Sequence, residues 1–152
     1  SLQGSARYFK KHHQCVHCVM IAEEKRLKKR IIAENKTAIA FAPFVSKNPF
    51  EVRVFPKSHL PYFEGTFEDD ELQSVSEVLQ EVLRKMERNL SDPDYNFFLH
   101  TAPLKDKARH KHYHWHIEVY PRLTTYGGFE FDTGIEINPV DPDVAAKILR
   151  KK

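Results

Sequence analysis

The chain has 152 residues, 41% hydrophobic and 30% charged, which is enough for one domain with a core of its own and too apolar for a disordered chain. Its formal net charge of +3 is too mild to argue for nucleic acid, no apolar run approaches a membrane span, and no signal-peptide pattern opens it. The two cysteines, Cys15 and Cys18, suit a metal or a redox pair better than a secreted disulfide framework, which points to the cytoplasm.

Residues 1–14 are polar and read as a lead-in or linker, with Ser1 to Ser5 resembling the edge of a cut linker in a sequence without an initiator Met. Residues 15–152 then read as a single domain. Val16 to Lys29 mixes apolar and charged residues in a short helical pattern. Arg30 to Asn35 and Thr37 to Ala42 read as strands parted by a turn near Asn35-Lys36, and Pro43 breaks the second. Phe50 to Phe55 alternates as a strand, Pro56 ends it, and His59 falls in the following loop. Leu72, Val75, Val78, Leu79, Val82, Leu83 and Met86 recur at helical spacing and mark a long helix that buries this stripe. Thr66 and Asp69 resemble its capping box, the acidic run 68–71 favours its positive end, and Asp92-Pro93 stops it. Tyr95 to His100 is the next strand, followed by the basic run Lys105 to His112 and a histidine-rich strand ending at Pro121. Gly127-Gly128 reads as a turn, Phe129 to Ile137 alternates weakly, and Asp141-Pro142 opens a last helix as N-cap and first-turn proline. Strands joined by short loops, with helices between groups of them, predict an antiparallel sheet in an α+β domain.

The chemistry concentrates in the histidine-rich strand. Side chains alternate along a strand, so His112, His114, His116 and Glu118 are expected on one face, with Tyr113, Trp115, Ile117 and Val119 on the other. A solvated face would use Lys, Thr or Ser; a row of imidazoles ending in a carboxylate suits a metal or a phosphate. Cys15-Val16-His17-Cys18 is half of a plausible zinc site and equally a redox pair, with His12, His13 and His17 read as exposed neighbours.

Three motifs in order resemble the histidine-triad superfamily: Cys15-x-x-Cys18, Pro56-Lys57-Ser58-His59, and His114-Trp115-His116-Ile117-Glu118-Val119-Tyr120-Pro121-Arg122, with Glu118 in the third histidine's place. Ala42-Pro43-Phe44, Asn48 to Val52, Tyr95 to Pro103, Gly128 to Gly134 and Ile137-Asn138-Pro139 are similar to the galactose-1-phosphate uridylyltransferase branch, whose members carry two histidine-triad-like halves. The chain resembles the second half, with a long helix packed on the sheet and a short C-terminal helix. This resemblance implies a structural zinc on Cys15, Cys18, His59 and His114. It implies a nucleophile at His116, which Glu118 opposes because an ionised carboxylate repels a phosphate. It also offers a second metal at His100, His116 and Glu118, with His100 otherwise a pocket residue; the basic run, with Lys107, Arg109 and His112, reads either as a phosphate or substrate contact by its charge or as a solvated loop. The function expected is the zinc-binding C-terminal domain of a hexose-1-phosphate uridylyltransferase-like nucleotidyltransferase, without catalysis of its own. Its partners would be a nucleotide sugar or sugar phosphate, an N-terminal catalytic half and a second copy in a homodimer, with neither membrane nor nucleic acid. Two other readings are a self-sufficient histidine-triad hydrolase or transferase using His116, and a zinc-stabilised interaction module.

Overall fold

The computed structural model describes residues 1–65, 69–125 and 127–151. The expected cap at Thr66 and the Asp69 side chain, with Glu68, lies outside the described residues. The elements are α1 (Leu2–His12), α2 (Val16–Leu27), β1 (Ile31–Glu34), β2 (Ala38–Phe41), β3 (Val52–Pro56), α3 (Asp69–Asn89), β4 (Tyr95–His100), β5 (His116–Pro121), α4 (Gly128–Thr133) and α5 (Pro142–Leu149), with short 3-10 turns at Phe63–Gly65 and Lys107–His110. All strand pairs are antiparallel, in the order β1-β2-β3-β5-β4.

The sheet separates two cores by strand alternation. On one face α3 lays Val75, Val78, Val82 and Met86 against Ala38, Ala40, Val52, Val54, Trp115, Ile117 and Val119, and α5 adds Ala146 and Leu149. The alanines of β2 keep that face shallow enough for α3 to lie close. On the other face the same strand presents Ile39 and Phe41, which α2 covers through Ile21 together with Phe55. Each fully buried Val, Met or Phe contributes roughly 1.5–3 kcal/mol. Asn35 closes the β1–β2 turn by accepting the backbone N–H groups of Thr37 (3.2 Å) and Ala38 (2.9 Å). Asp141 caps α5 through the N–H groups of Asp143 and Val144.

Three local expectations are corrected. Regular strand structure begins at His116, not His112. Residues up to Trp115 depart from the ladder because the Trp115 N–H bonds the Leu60 carbonyl (2.8 Å) and the His114 ring bonds Pro56, so the chain is held by a loop rather than by β4. The segment 129–137, weakly alternating in sequence, holds the α4 helix, whose Gly127 N–H is capped by the Glu130 side chain (3.0 Å) and whose end falls at Gly134 in the left-handed region (φ 65°). His17 is buried, not exposed.

A candidate metal centre and a histidine–carboxylate cluster

Cys15 is the N-cap of α2 and Cys18 lies three residues on, so both sulfurs sit at the helix N-terminus, where unpaired N–H groups favour thiolate. The loop after β3 brings His59, and the lead into β5 brings His114. The four ligand atoms lie within 4.8 Å of one another. Cys18 Sγ is 3.3 Å from His59 Nδ1 and 3.5 Å from His114 Nδ1. The far nitrogen of each ring is tied down: His114 Nε2–H donates to the Pro56 carbonyl (3.0 Å) and His59 Nε2–H to the Lys111 carbonyl (2.8 Å). Both rings therefore turn an Nδ1 lone pair toward the sulfurs, the tautomer a metal ligand needs. The cysteines share a proton: the Cys18 thiol holds Cys15 well below its ordinary pKa, and Cys15 in turn raises Cys18. Two thiolates and two oriented imidazoles fit a closed tetrahedral zinc site.

The second cluster lies along β5 on the same face. His100 pairs with His116 in register, and Phe98 with Glu118. The ligand atoms of His100, His116 and Glu118 lie within 4.8 Å of one another. His116 is stacked between neighbours, 4.9 Å from Phe55 and 5.0 Å from His100 between ring centres. Burial pulls its pKa down to about 4. Its Nδ1–H donates to the His114 carbonyl (3.0 Å), so a neutral ring turns the Nε2 lone pair toward Glu118 Oε1, 3.4 Å away. Two acceptors then face each other, and a cation between them resolves the conflict. Burial raises Glu118, but bonds from His100 (3.2 Å) and the Tyr120 hydroxyl, with Arg53 beside it (3.1 Å), outweigh that and hold it well below the usual carboxylate range. Arg53 in turn binds Glu51 (2.8 Å), which is fully buried and accepts the backbone N–H groups of Lys47 (2.7 Å) and Asn48 (3.4 Å). Glu118 is thus oriented by Arg53 and Tyr120 in the way a ligating carboxylate is held, so these residues fit a two-histidine, one-carboxylate metal site.

The remaining candidates are placed elsewhere. The Lys107 ammonium lies 5.2 Å from the centre of the Tyr62 ring. Arg109 is exposed on the same 3-10 turn, and His112 is buried with its ring 6.0 Å from that of Phe9. Of the basic run, the Lys111 carbonyl reaches the cysteine centre, where it orients His59. His12 and His13 are exposed at the end of α1, while His17 lies 4.9 Å from His116 and edge-on to Tyr113 (5.5 Å). Arg53, Glu51 and Tyr120 were missed in sequence. Alternation in 50–55 puts Glu51 and Arg53 on one face, but only the register of Arg53 opposite Glu118 joins them to the cluster.

Residues 2–139 match the family described as galactose-1-phosphate uridyl transferase, C-terminal domain. The chain belongs to this family. It is 34% identical to the ADP-glucose phosphorylase of Arabidopsis thaliana over 99% of its own length and 41% of that protein. It is 26% identical to the galactose-1-phosphate uridylyltransferase of Thermotoga maritima over 95% of its length and 47% of that protein. The crystal structure of the Arabidopsis ADP-glucose phosphorylase with bound ADP-glucose superposes with a TM-score of 0.86 at 33% identity, covering 99% of this chain and 47% of the other. A zinc-bound histidine triad protein from Mycobacterium smegmatis shares the fold, with a TM-score of 0.60 at 18% identity over 90% of each chain. The chain thus spans less than half the length of these two curated relatives and has the α+β histidine-triad-like fold of a nucleotidyltransferase C-terminal domain.

Proposed function

We propose that this chain is the zinc-tied, non-catalytic C-terminal half of a hexose-1-phosphate nucleotidyltransferase, working in the cytoplasm beside an N-terminal half that carries the nucleophile. The observation that carries the reading is Glu118. It is held as an anion 3.4 Å from the His116 Nε2 lone pair, where an attacked phosphate would have to sit. Against a phosphate at ~4–5 Å and an effective dielectric near 20, each unit of charge costs roughly 4 kcal/mol. Cys15, Cys18, His59 and His114 hold zinc, which pins α2 and the post-β3 loop to the start of β5. His100, His116 and Glu118 hold a second, more weakly bound metal ion. Nucleotide sugar or sugar phosphate is the substrate class, by analogy with the ADP-glucose phosphorylase and galactose-1-phosphate uridylyltransferase it resembles. The free edge strand β4 supports pairing with a companion, either the other half or a second copy in a homodimer. Its exposed Tyr95, Phe97, Phe98 and Leu99 carry none of the lysines or prolines that blunt solitary edges.

Elemental analysis and intact-mass spectrometry test this reading. The parent should hold one zinc per chain through dialysis, Cys15→Ser should hold none, and incubation with UDP-hexose or ADP-hexose should leave no nucleotidyl adduct. An adduct lost in His116→Ala would overturn the non-catalytic assignment. It would favour the alternative of a self-sufficient histidine-triad enzyme, for which the free Nε2 lone pair on His116 is the supporting observation.

A further inference from the structure

His17 belongs to neither metal centre, yet it is buried between them at 6% exposure. It opens the inward face of α2, which continues through Ile21 and Glu24 at helical spacing. Four rings box it in: Phe55 at 5.7 Å, Tyr113 edge-on at 5.5 Å, His114 edge-on at 6.4 Å and His116 at 4.9 Å between centres. An apolar side chain would fill this position at less cost, because a buried N–H must find an acceptor to replace water. Burial keeps the ring neutral, so it carries one N–H and one lone pair. Its Nδ1 has no partner among the described residues, which makes Nδ1 the lone pair and Nε2–H the donor. An acceptor is at hand, since the His17 side chain hydrogen-bonds that of Cys15.

We infer that His17 is a positioning residue of the cysteine centre: its Nε2–H donates to the Cys15 sulfur and fixes it as a metal-binding thiolate, while its ring packs against His116. The inference rests on the zinc reading above and adds a residue to it. The His114 and His59 rings are already oriented by carbonyls at their far nitrogens, and His17 does the same service for a sulfur. An N–H bonded to a thiolate draws off part of its charge, so the sulfur binds the metal without inviting a proton in its place. The two sulfurs are thereby made unequal. Cys15 is buried and held by His17, whereas Cys18 is partly exposed and lines an open pocket with His59. Cys15 is the anchor of the pair, and Cys18 is the side from which a competing ligand can approach.

The test compares the parent with His17→Phe, which keeps a ring and removes the donor, and with His17→Gln, whose amide N–H restores a donor. Cobalt is loaded in place of zinc, and the thiolate-to-cobalt charge-transfer band is read in the near ultraviolet. His17→Phe should move that band to lower energy, because a bare thiolate gives up its charge more readily. It should also weaken zinc binding about tenfold or more in competition with a chelator. His17→Gln should return the band and most of the affinity, a rescue that a role in packing alone would not produce. A further measurement needs no variant: long-range proton–nitrogen spectra of the zinc-loaded parent should show His17 as the Nε2–H tautomer. An unchanged band and affinity in His17→Phe, equal losses in both variants, or an Nδ1–H tautomer would each overturn the inference and leave the zinc stoichiometry standing. A parent chain that takes up neither zinc nor cobalt would instead overturn the metal reading, and this inference with it.

Discussion

Glu118 decides what His116 can do. A histidine whose Nδ1–H is fixed on a backbone carbonyl is a good nucleophile or metal ligand, and its neighbour selects between the roles. Here the neighbour is an anion stabilised by Arg53, His100 and Tyr120, which suits a cation and disfavours a phosphate. Glu118→Gln removes that charge while keeping the size. In titrations of zinc-loaded protein with Co²⁺ or Mn²⁺, this substitution is expected to weaken the second site at least tenfold and to leave the tightly held zinc at one per chain. Unchanged Co²⁺ and Mn²⁺ affinity would remove Glu118 from the ligand set. Both outcomes are independent of the cysteines, because His114 lends the second cluster its carbonyl and not its ring.

At the scale of elements, α2 holds the cysteines and is itself anchored by a buried ion pair. Arg30, at the entry to β1, binds Glu24 of α2 (2.8 Å) and Asp143 of α5 (2.8 Å); the Arg30 and Glu24 side chains are 7% and 5% exposed. A pair this buried gains little over an apolar replacement, but breaking it strands a charge. Arg30→Met is therefore expected to cost about 3 kcal/mol in urea unfolding, and adding Glu24→Gln should recover more than half. If the double substitution is as unstable as the single one, charge is not the cause. Upstream of β3 the backbone takes an uncommon conformation: Phe50 sits in the left-handed region (φ 58°). That turn swings Glu51 inward, where it holds both the 47–48 loop and Arg53.

For the whole molecule, the proposed zinc would be a cross-link between segments 41 and 96 residues apart in sequence, measured from Cys18 to His59 and to His114. It would join the helical N-terminal layer to the sheet, so its removal should loosen that layer first. Chelation is expected to lower the thermal midpoint by about 10 °C or more, and limited proteolysis should then cut within residues 1–30 before α3. Cleavage beginning elsewhere would argue against the cross-link. The open β4 edge makes a second molecular prediction. Phe97, 58% exposed, lies on the edge strand, and Phe97→Lys should shift self-association measured by sedimentation toward monomer without changing the thermal midpoint of the monomer. Self-association unaffected by this change would place the interface on another face.

Much of this was legible in the chain itself. The helical stripe from Leu72 to Met86, the Asp141-Pro142 cap and the alternation from Val52 to Phe55 depend on neighbours within a few residues, and local periodicity carries them. The four residues of the candidate metal centre were readable because each sits in a short motif with its own resemblance, although their meeting point is a product of the fold. Tertiary structure alone decided the rest. Trp115 and His114 leave the ladder for carbonyls in the post-β3 loop, which local alternation cannot anticipate. Residues 129–133 belong to a helix where the pattern over 129–137 suggested extension. Arg53 becomes the partner of Glu118 through strand register, a pairing across 65 residues that no spacing encodes. Contacts between distant segments are set by which apolar faces pack together, so the sequence by itself determined the elements and the donor types, and packing determined which donors meet.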